Sequence, residues 1–221
     1  MKILALDTST EYCSAALWLD GEVCQRLEHA GQRHSQLLLP MVDALLVEAG
    51  LVLGRLDALA AAVGPGSFTG LRIATAVGQG LAFGADLPVV PVGTLDALAE
   101  GGGANDMVAC IDARMNEVYI AAFRRGAQGV DAVLAPALAY PDALPDLPSG
   151  QWVGCGNGFD RFGDRMAACW PQVRIVHDRH PEARHVAALA AARFLAGERH
   201  PPEALVPLYV RDKVALSTAE R

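Results

Sequence analysis

Four polar residues near the start of the chain are of the types that phosphate-binding sites use. Asp7, Thr8, Ser9 and Thr10 follow the apolar run at residues 3–6 and precede a second apolar run. Backbone N–H groups and hydroxyls in such a strand turn can bind phosphate, and a carboxylate can hold a metal-bound water. An ordinary hairpin turn has the same composition, so these residues predict no more than a remnant nucleotide site.

A glycine-rich segment, GPGSFTG at residues 64–70, opens a predicted helix. Glycine-rich turns at helix starts can bind anions. The segment lacks the Gly-Lys-Ser/Thr of a Walker A motif at the required spacing. It also lacks the nucleophile elbow of hydrolases, because Pro65 and Thr69 stand where that motif has glycines. Ser67 is therefore predicted to cap the helix and not to act as a nucleophile.

The histidines give little support for a metal site. His29 and His34 are five residues apart, so they do not share a helix face. His177, His180 and His185 form a loose cluster around a proline-containing loop. Incidental histidines are the favoured interpretation, and no metal ligand is predicted.

Charged residues also meet at a predicted strand–turn–strand junction, DARMNEVY at residues 112–119. Asp112, Arg114, Asn116 and Glu117 could be offered as catalytic groups. An internal Asp–Arg ion pair that holds a hairpin is the favoured interpretation, and no catalytic residue is predicted.

An α/β fold of two lobes is predicted to position these residues. Asp20-Gly21 lies between two alternating apolar–polar runs and predicts a hairpin. Helical spacing predicts a helix over residues 35–49, with Pro40 in its first turn or at a kink. Thr94 is predicted to cap a later helix. Further strands are predicted at 3–7, 56–63, 88–92, 107–113, 117–125, 150–156 and 173–178, and further helices from the glycine-rich segment to about 84 and over 182–199.

The sequence GGGAND at residues 101–106 is the clearest predicted linker. It divides the chain into an N-terminal lobe, residues 1–104, and a C-terminal lobe, residues 105–221. The last helix and the tail can pack back across the lobe boundary.

The two helices of the N-terminal lobe have more apolar and small residues than one core-facing side needs. The helix over 35–49 is apolar nearly all round, so it must be buried on more than one side or leave an apolar patch that invites association. Each glycine inside a helix costs roughly 1 kcal/mol, which is tolerated where another backbone comes close. Tight packing inside the fold and contact with another chain can each explain this composition. Because two helices of the same lobe share it, contact with another chain is slightly favoured. The second helix carries two ridges of small residues, Gly70, Ala74, Gly78 and Ala82 in one and Ala76, Gly80 and Gly84 in the other.

Composition narrows the classes of function. Of 221 residues, 52% are hydrophobic, which is enough for a core, and the net charge of -7 disfavours tight nucleic-acid binding by this chain alone. No apolar run approaches the roughly 20 residues of a membrane span, and the start does not resemble a signal peptide, so a cytoplasmic protein with no membrane association is expected.

Five cysteines without CxxC spacing are expected to be buried, reduced thiols.

Several motifs, in this order, resemble the TsaB family from end to end. They are ILALDTST at the start, HSQLLLPMVDALL at 34–46, AVGPGSFTGLRIATAVGQGLAF at 62–83, DARMNEVY at 112–119 and PLYVR at 207–211. The resemblance implies an ASKHA-type fold, the two-lobed architecture of actin, Hsp70 and sugar kinases. It also implies a non-catalytic accessory subunit in threonylcarbamoylation of the tRNA adenosine next to the anticodon (t6A formation).

The partners implied by the resemblance are a TsaD-type catalytic subunit, a TsaE-type ATPase and, through the complex, tRNA; a homodimer is expected when the chain is alone. No cofactor is implied for this chain, and ATP or its product would bind only in the assembled complex. The HxxxH metal signature of TsaD is not found, since His29 and His34 have the wrong spacing. The implied contact with TsaD is made by the two helices described above, through Leu38, Leu39, Met41, Val42, Leu45, Leu46, Thr69, Gly70, Arg72, Ile73, Ala74, Val77, Gly78 and Leu81.

Two other functions compete with this one. An autonomous ATP-dependent phosphotransferase of the same fold would need a catalytic carboxylate in the second lobe and an adenosine pocket. A metallopeptidase-like enzyme would need a metal site that the sequence does not supply.

Overall fold

The computed structural model describes residues 1–127 and 129–211. The first lobe contains β1 (Lys2–Asp7), β2 (Tyr12–Leu19), β3 (Glu22–His29), α1 (His34–Glu48), β4 (Ala58–Gly64), α2 (Phe68–Ala85), β5 (Val89–Gly93) and α3 (Thr94–Gly102). The second contains β6 (Asp106–Arg114), β7 (Glu117–Gly126), β8 (Gly129–Ala139), β9 (Val153–Cys155), α4 (Asn157–Met166), β10 (Arg174–Val176) and α5 (Ala183–Leu195). The predicted tail at 212–221 lies outside the described residues.

Both lobes are built on five-stranded mixed sheets with the same strand arrangement. The order is β3-β2-β1-β4-β5 in the first sheet and β8-β7-β6-β9-β10 in the second. In each, three antiparallel strands are followed by two strands that run parallel to the first. The predicted two-lobed ASKHA-type fold is confirmed, although the sequences of the two lobes show no repeat.

Local sequence signals explain the first hairpin and the start of α2. Asp20 and Gly21 have φ values of 51° and 107°, the positive values that a tight two-residue hairpin turn requires. The Ser67 side chain accepts a hydrogen bond from the Gly70 N–H at 3.3 Å, so its predicted role as a helix cap is confirmed.

Three local predictions are corrected. Thr94 is the first residue of α3 and not its cap, because Gly93 occupies that position and the Thr94 hydroxyl has no partner among the described residues. Pro40 is the seventh residue of α1, which rules out the predicted place in the first turn and leaves the alternative, a kink at Pro40, as a prediction. The predicted linker is shorter than expected, because α3 continues through Gly102 and β6 begins at Asp106.

Helices cover both faces of each sheet. In the first lobe, α1 and α2 pack on one face around Leu4 and Leu6, whereas α5 packs on the other around Ile3 and Ala5. The α5 contact is rich in alanine, which lets the helix lie close to the sheet. In the second lobe, α3 and α4 cover opposite faces of the second sheet. Because α5 follows the second sheet in the chain, its packing on the first sheet ties the lobes together.

Two elements of the second lobe were not predicted. β8 is an edge strand formed by a stretch rich in alanine and proline, and α4 follows a glycine, Gly156, at the end of β9. Among the described residues, no helix combines the length and the apolar character that a bilayer span needs.

Candidate functional site

A cleft of about 940 Å³ lies between the lobes. Its walls include the turn after β1, the start of α2, the β6–β7 turn and the start of α4. Three arginines and three acids face it, so its charges nearly balance: Arg114, Arg161 and Arg211 against Glu11, Asp112 and Asp160.

The four residues of the predicted remnant nucleotide site are divided between the cleft and the interior of the protein. Ser9 and Thr10 line the cleft, but Asp7 and Thr8 are buried and do not line it. Oδ1 of Asp7 accepts hydrogen bonds from the backbone N–H and the hydroxyl of Ser9, at 2.7 and 2.6 Å. Its Oδ2 is buried without a partner among the described residues. Burial raises the pKa of Asp7 to about 6. The two hydrogen bonds from Ser9 lower this pKa in part, and the nearby charge of Glu182 raises it slightly.

The turn after β1 is fixed to the start of α2. The Thr8 hydroxyl donates to the Gly70 carbonyl at 2.7 Å, and the Ser67 N–H donates to the Ser9 carbonyl at 2.7 Å. A Cβ atom at Gly70 would overlap the carbonyl oxygen of Thr8. Gly70 is therefore required for internal packing, and the turn is a rigid part of the wall of the cleft.

The acidic groups on the opposite wall are engaged in pairs. Asp112 lies 2.6 Å from Arg161 and 3.4 Å from Arg114, which confirms the predicted Asp–Arg pairing at this hairpin. Asn157 accepts a hydrogen bond from the Asp112 N–H at 2.9 Å and reaches across the cleft to the Glu11 carboxylate at 3.4 Å. These contacts make the second wall a structural network that links the two lobes.

The predicted histidine cluster is not brought together. His177 contacts Asp160 at 2.7 Å, whereas His180 stacks on Tyr12 with ring centroids 3.8 Å apart. His185 lies beside Gly101, where burial lowers its pKa. Within residues 1–127 and 129–211, no group of three or more His, Cys, Asp and Glu side chains is placed to hold a metal ion.

The cysteines are mostly internal. Burial raises the pKa of Cys13 and Cys155 to about 12 and that of Cys110 as well, which keeps these thiols protonated. Cys24 on β3 is exposed and Cys169 is half-buried, so the expectation of five buried thiols is corrected.

Burial divides the predicted interface residues on α1 and α2 into two groups, and the interface is corrected accordingly. Seven are buried in the chain's own core or against its own backbone, where they offer a partner no surface: Leu38, Met41, Val42, Leu45, Gly70, Ala74 and Gly78. The other seven are exposed or half-buried: Leu39, Leu46, Thr69, Arg72, Ile73, Val77 and Leu81. The reason is helical periodicity, which turns every third or fourth residue towards the sheet.

The outward side of these two helices nevertheless exposes several apolar residues. Val47 and Phe83 are 70% and 76% exposed, and the second small-residue ridge also faces outwards. A groove of about 460 Å³ runs along the start of α2 and is lined by Ser35, Phe68, Thr69, Arg72, Ile73, Ala76 and Val77. We call this side of α1 and α2 the outer face. Phe68 and Ala76 were not among the predicted interface residues, although each lies four residues from Arg72, a spacing that places them on the same side of the helix.

A C-terminal strap, residues 205–211, connects the outer face to the cleft. Leu205 is buried beside Gly78, and the Leu208 N–H donates to the Val63 carbonyl at 2.7 Å. Tyr209 then contacts α2, and Arg211 lines the cleft. Sequence patterns could not identify these contacts, because their partners lie far away in the chain.

Comparisons with known proteins give a consistent result. Residues 28–155 match the family model "TsaD: tRNA N6-adenosine threonylcarbamoyltransferase". The tRNA threonylcarbamoyladenosine biosynthesis protein TsaB of Escherichia coli is 40% identical over 97% of this chain and 96% of that protein. The protein of the same name from Haemophilus influenzae is 51% identical over 97% of this chain and 95% of that protein. The structure of YeaZ from Pseudomonas aeruginosa matches with a TM-score of 0.88 and 38% identity, over 94% of this chain and 99% of that one.

Proposed function

Since the chain belongs to the TsaB family of tRNA threonylcarbamoyladenosine biosynthesis proteins, we propose that it is a non-catalytic accessory subunit in t6A formation. It binds a TsaD-type catalytic subunit through the outer face of α1 and α2. The observation that carries this proposal is the exposure of apolar side chains on two adjacent helices of one lobe.

The composition of the outer face supports contact with a protein. On α2 the outward residues include Phe68, Ala76, Gly80 and Phe83, and Arg72 is the one charged residue of this helix. On α1, Leu39 and Val47 are exposed as well. Contiguous apolar surface with few charges is typical of interfaces, and small residues let a second helix approach closely.

The match to the TsaD model supports the choice of partner. The matched residues include α1 and α2, so a TsaD-type protein is expected to have corresponding helices. Two related chains that use the same patch can pack around a pseudo-two-fold axis, as in an isologous dimer. The same geometry predicts a homodimer when the chain is alone.

The cleft supports the proposal that catalysis takes place on the partner. Asp112 and Asp160 are engaged with Arg161 and His177, and Asp7 is turned away into the interior. We propose that a TsaE-type ATPase joins the complex, that ATP or its product binds only after assembly, and that tRNA is held mainly by the partner because this chain has a net charge of -7. A cytoplasmic location follows from this role.

Reconstitution tests the proposal. The TsaD-type and TsaE-type subunits are incubated with tRNA, ATP and a threonylcarbamoyl donor, with and without this chain, and t6A is quantified by mass spectrometry of nucleosides. We expect t6A only when the chain is present, and none with the Ala76→Arg variant. Full activity without the chain would refute the accessory role. ATP turnover or stoichiometric zinc or iron on the chain alone would favour the competing enzyme classes.

A further inference from the structure

Arg72 is a positive charge on an apolar surface. It is exposed at the edge of the groove on α2. Within residues 1–127 and 129–211, no carboxylate forms an ion pair with it, whereas twelve other ion pairs in that part of the chain involve an arginine or a histidine. An arginine that is covered without a counter-charge is costly, because its desolvation is not compensated.

The guanidinium of Arg72 is held in place from two sides. Its Nε donates a hydrogen bond to the Tyr209 hydroxyl at 2.9 Å, and its Cζ lies 3.9 Å from the centre of the Phe68 ring. The Phe68 and Tyr209 rings pack against each other with centroids 5.5 Å apart. The Phe68 ring fixes the plane of the guanidinium. Of its nitrogens, only Nε donates a hydrogen bond to these aromatic residues.

Tyr209 is itself fixed by the strap. The Leu208 N–H donates to the Val63 carbonyl at 2.7 Å, and the Leu208 carbonyl lies 2.6 Å from where a Cβ would stand at Gly64. This close approach leaves the strap little room to shift. The two terminal nitrogens of Arg72 are therefore presented by a pre-organised group, and a planar fork of this kind matches a carboxylate in a bidentate pair.

We propose that Arg72 binds an aspartate or glutamate side chain on the docking partner, and that the strap residue Tyr209 positions it to do so. The occupant of the groove is an otherwise apolar helix of the TsaD-type subunit that bears one carboxylate opposite Arg72. This inference rests on the proposed function, because it assigns the chemistry of the partner at that interface. Charge complementarity requires that the occupant bring a carboxylate, since docking would bury the arginine and a carboxylate offsets that cost, and the proposed function selects the TsaD-type subunit as its source.

A second copy of this chain is the competing occupant. Its α1 presents Asp43, which is exposed, so a homodimer could supply a carboxylate of the same kind. The experiment below separates the two.

The test measures binding of the TsaD-type subunit encoded in the same genome by titration calorimetry, at low and high salt. Arg72→Ala is expected to weaken binding by about tenfold or more, the scale of an interface hot spot, and to flatten the dependence on salt. Arg72→Lys keeps the charge but loses the planar fork, so it should restore binding only in part. Tyr209→Phe keeps the ring and removes the hydroxyl, and a severalfold loss is expected. Arg174→Ala, at an exposed position on β10 of the other lobe, is the matched control and should bind like wild type.

The outcomes distinguish the inference from the function on which it rests. If wild type does not bind the TsaD-type subunit, the proposed function and this inference both fail. If wild type binds and Arg72→Ala binds equally well with the same salt dependence, the carboxylate inference alone is overturned. It is also overturned if Arg72→Ala abolishes self-association in light scattering but leaves binding to the TsaD-type subunit unchanged.

Discussion

The guanidinium of Arg211 lies 2.7 Å from the carboxylate of Glu117, and the two side chains are only 12% and 17% exposed. Arg211 also donates to the Ala113 carbonyl at 2.9 Å. Glu117 and Ala113 belong to the second lobe, whereas Leu205, six residues before Arg211, is buried in the core of the first. The strap thus fastens the two lobes beside the cleft.

Removing the acid of this pair should destabilise the protein. In Glu117→Gln, Arg211 remains largely buried without its counter-charge, and we expect the free energy of unfolding to fall by about 1–3 kcal/mol. Urea denaturation measures this change. The control is Glu48→Gln, which removes the acid from the exposed ion pair with Arg26 and should cost less than about 1 kcal/mol. Equal losses in the two variants would show that the strap does not fasten the lobes.

Substitution by alanine should change the stability of the protein in opposite directions at two glycines of α2. Gly70→Ala places a methyl group into the Thr8 carbonyl, so we expect a loss of about 2–4 kcal/mol or a failure to fold. Gly80→Ala meets no atom within 4 Å on the exposed side of the helix, so the gain in helix propensity should stabilise it by about 0.5–1 kcal/mol. Thermal unfolding of both variants tests this. A stabilised Gly70→Ala would mean that α2 does not lie against the turn after β1.

The buried carboxyl of Asp7 should make stability depend on pH. Burial raises its pKa from 3.8 to about 6, so the unfolded chain ionises first as pH rises. The contribution of protonated Asp7 to the free energy of unfolding is fully present below pH 3.8. It is lost as pH rises to about 6, and it is absent above that. At 1.36 kcal/mol per unit, the loss is on the order of 3 kcal/mol.

Asp7→Asn isolates this effect, because asparagine stays neutral throughout. We expect the stability of wild type relative to the variant to fall between pH 4 and pH 6 and to be constant above about pH 6.5, as measured by urea denaturation at each pH. Asp43→Asn, at an exposed position on α1, controls for the loss of a surface acid. Parallel curves for wild type and Asp7→Asn would show that the pKa of Asp7 is the same in the folded and the unfolded protein, so that burial does not raise it.

Local chemistry made much of the fold predictable. The Asp20-Gly21 turn and the Ser67 cap each depend on a few neighbouring residues, so their patterns suffice. β8 was missed because its four alanines and its proline have low β-propensity; it is a strand because β7 supplies its hydrogen-bond partners. Thr94 was assigned as a cap because its residue type fits that position, but the helix begins at Thr94 itself, so Gly93 takes the cap position.

The outer face was predictable only in outline. Apolar content marked α1 and α2, but it could not tell whether Leu38 or Leu39 points to the sheet, because both are leucines; the structure buries the first and exposes the second. Ala74 and Ala76 differ in the same way. The contact between Arg72 and Tyr209 joins residues 137 positions apart, and no single-sequence pattern reports such a pair.

The central claim is that the outer face of α2 binds a TsaD-type subunit, and titration calorimetry with the Ala76→Arg variant tests it most directly. Ala76 is exposed in the groove, so arginine there should leave the fold intact while placing bulk and charge in the contact. Val133→Arg, at an exposed position on the edge strand β8 of the other lobe, is the matched control. We predict a 1:1 complex for wild type and Val133→Arg, and binding at least about 100-fold weaker for Ala76→Arg. Binding of Ala76→Arg with wild-type affinity would contradict the claim.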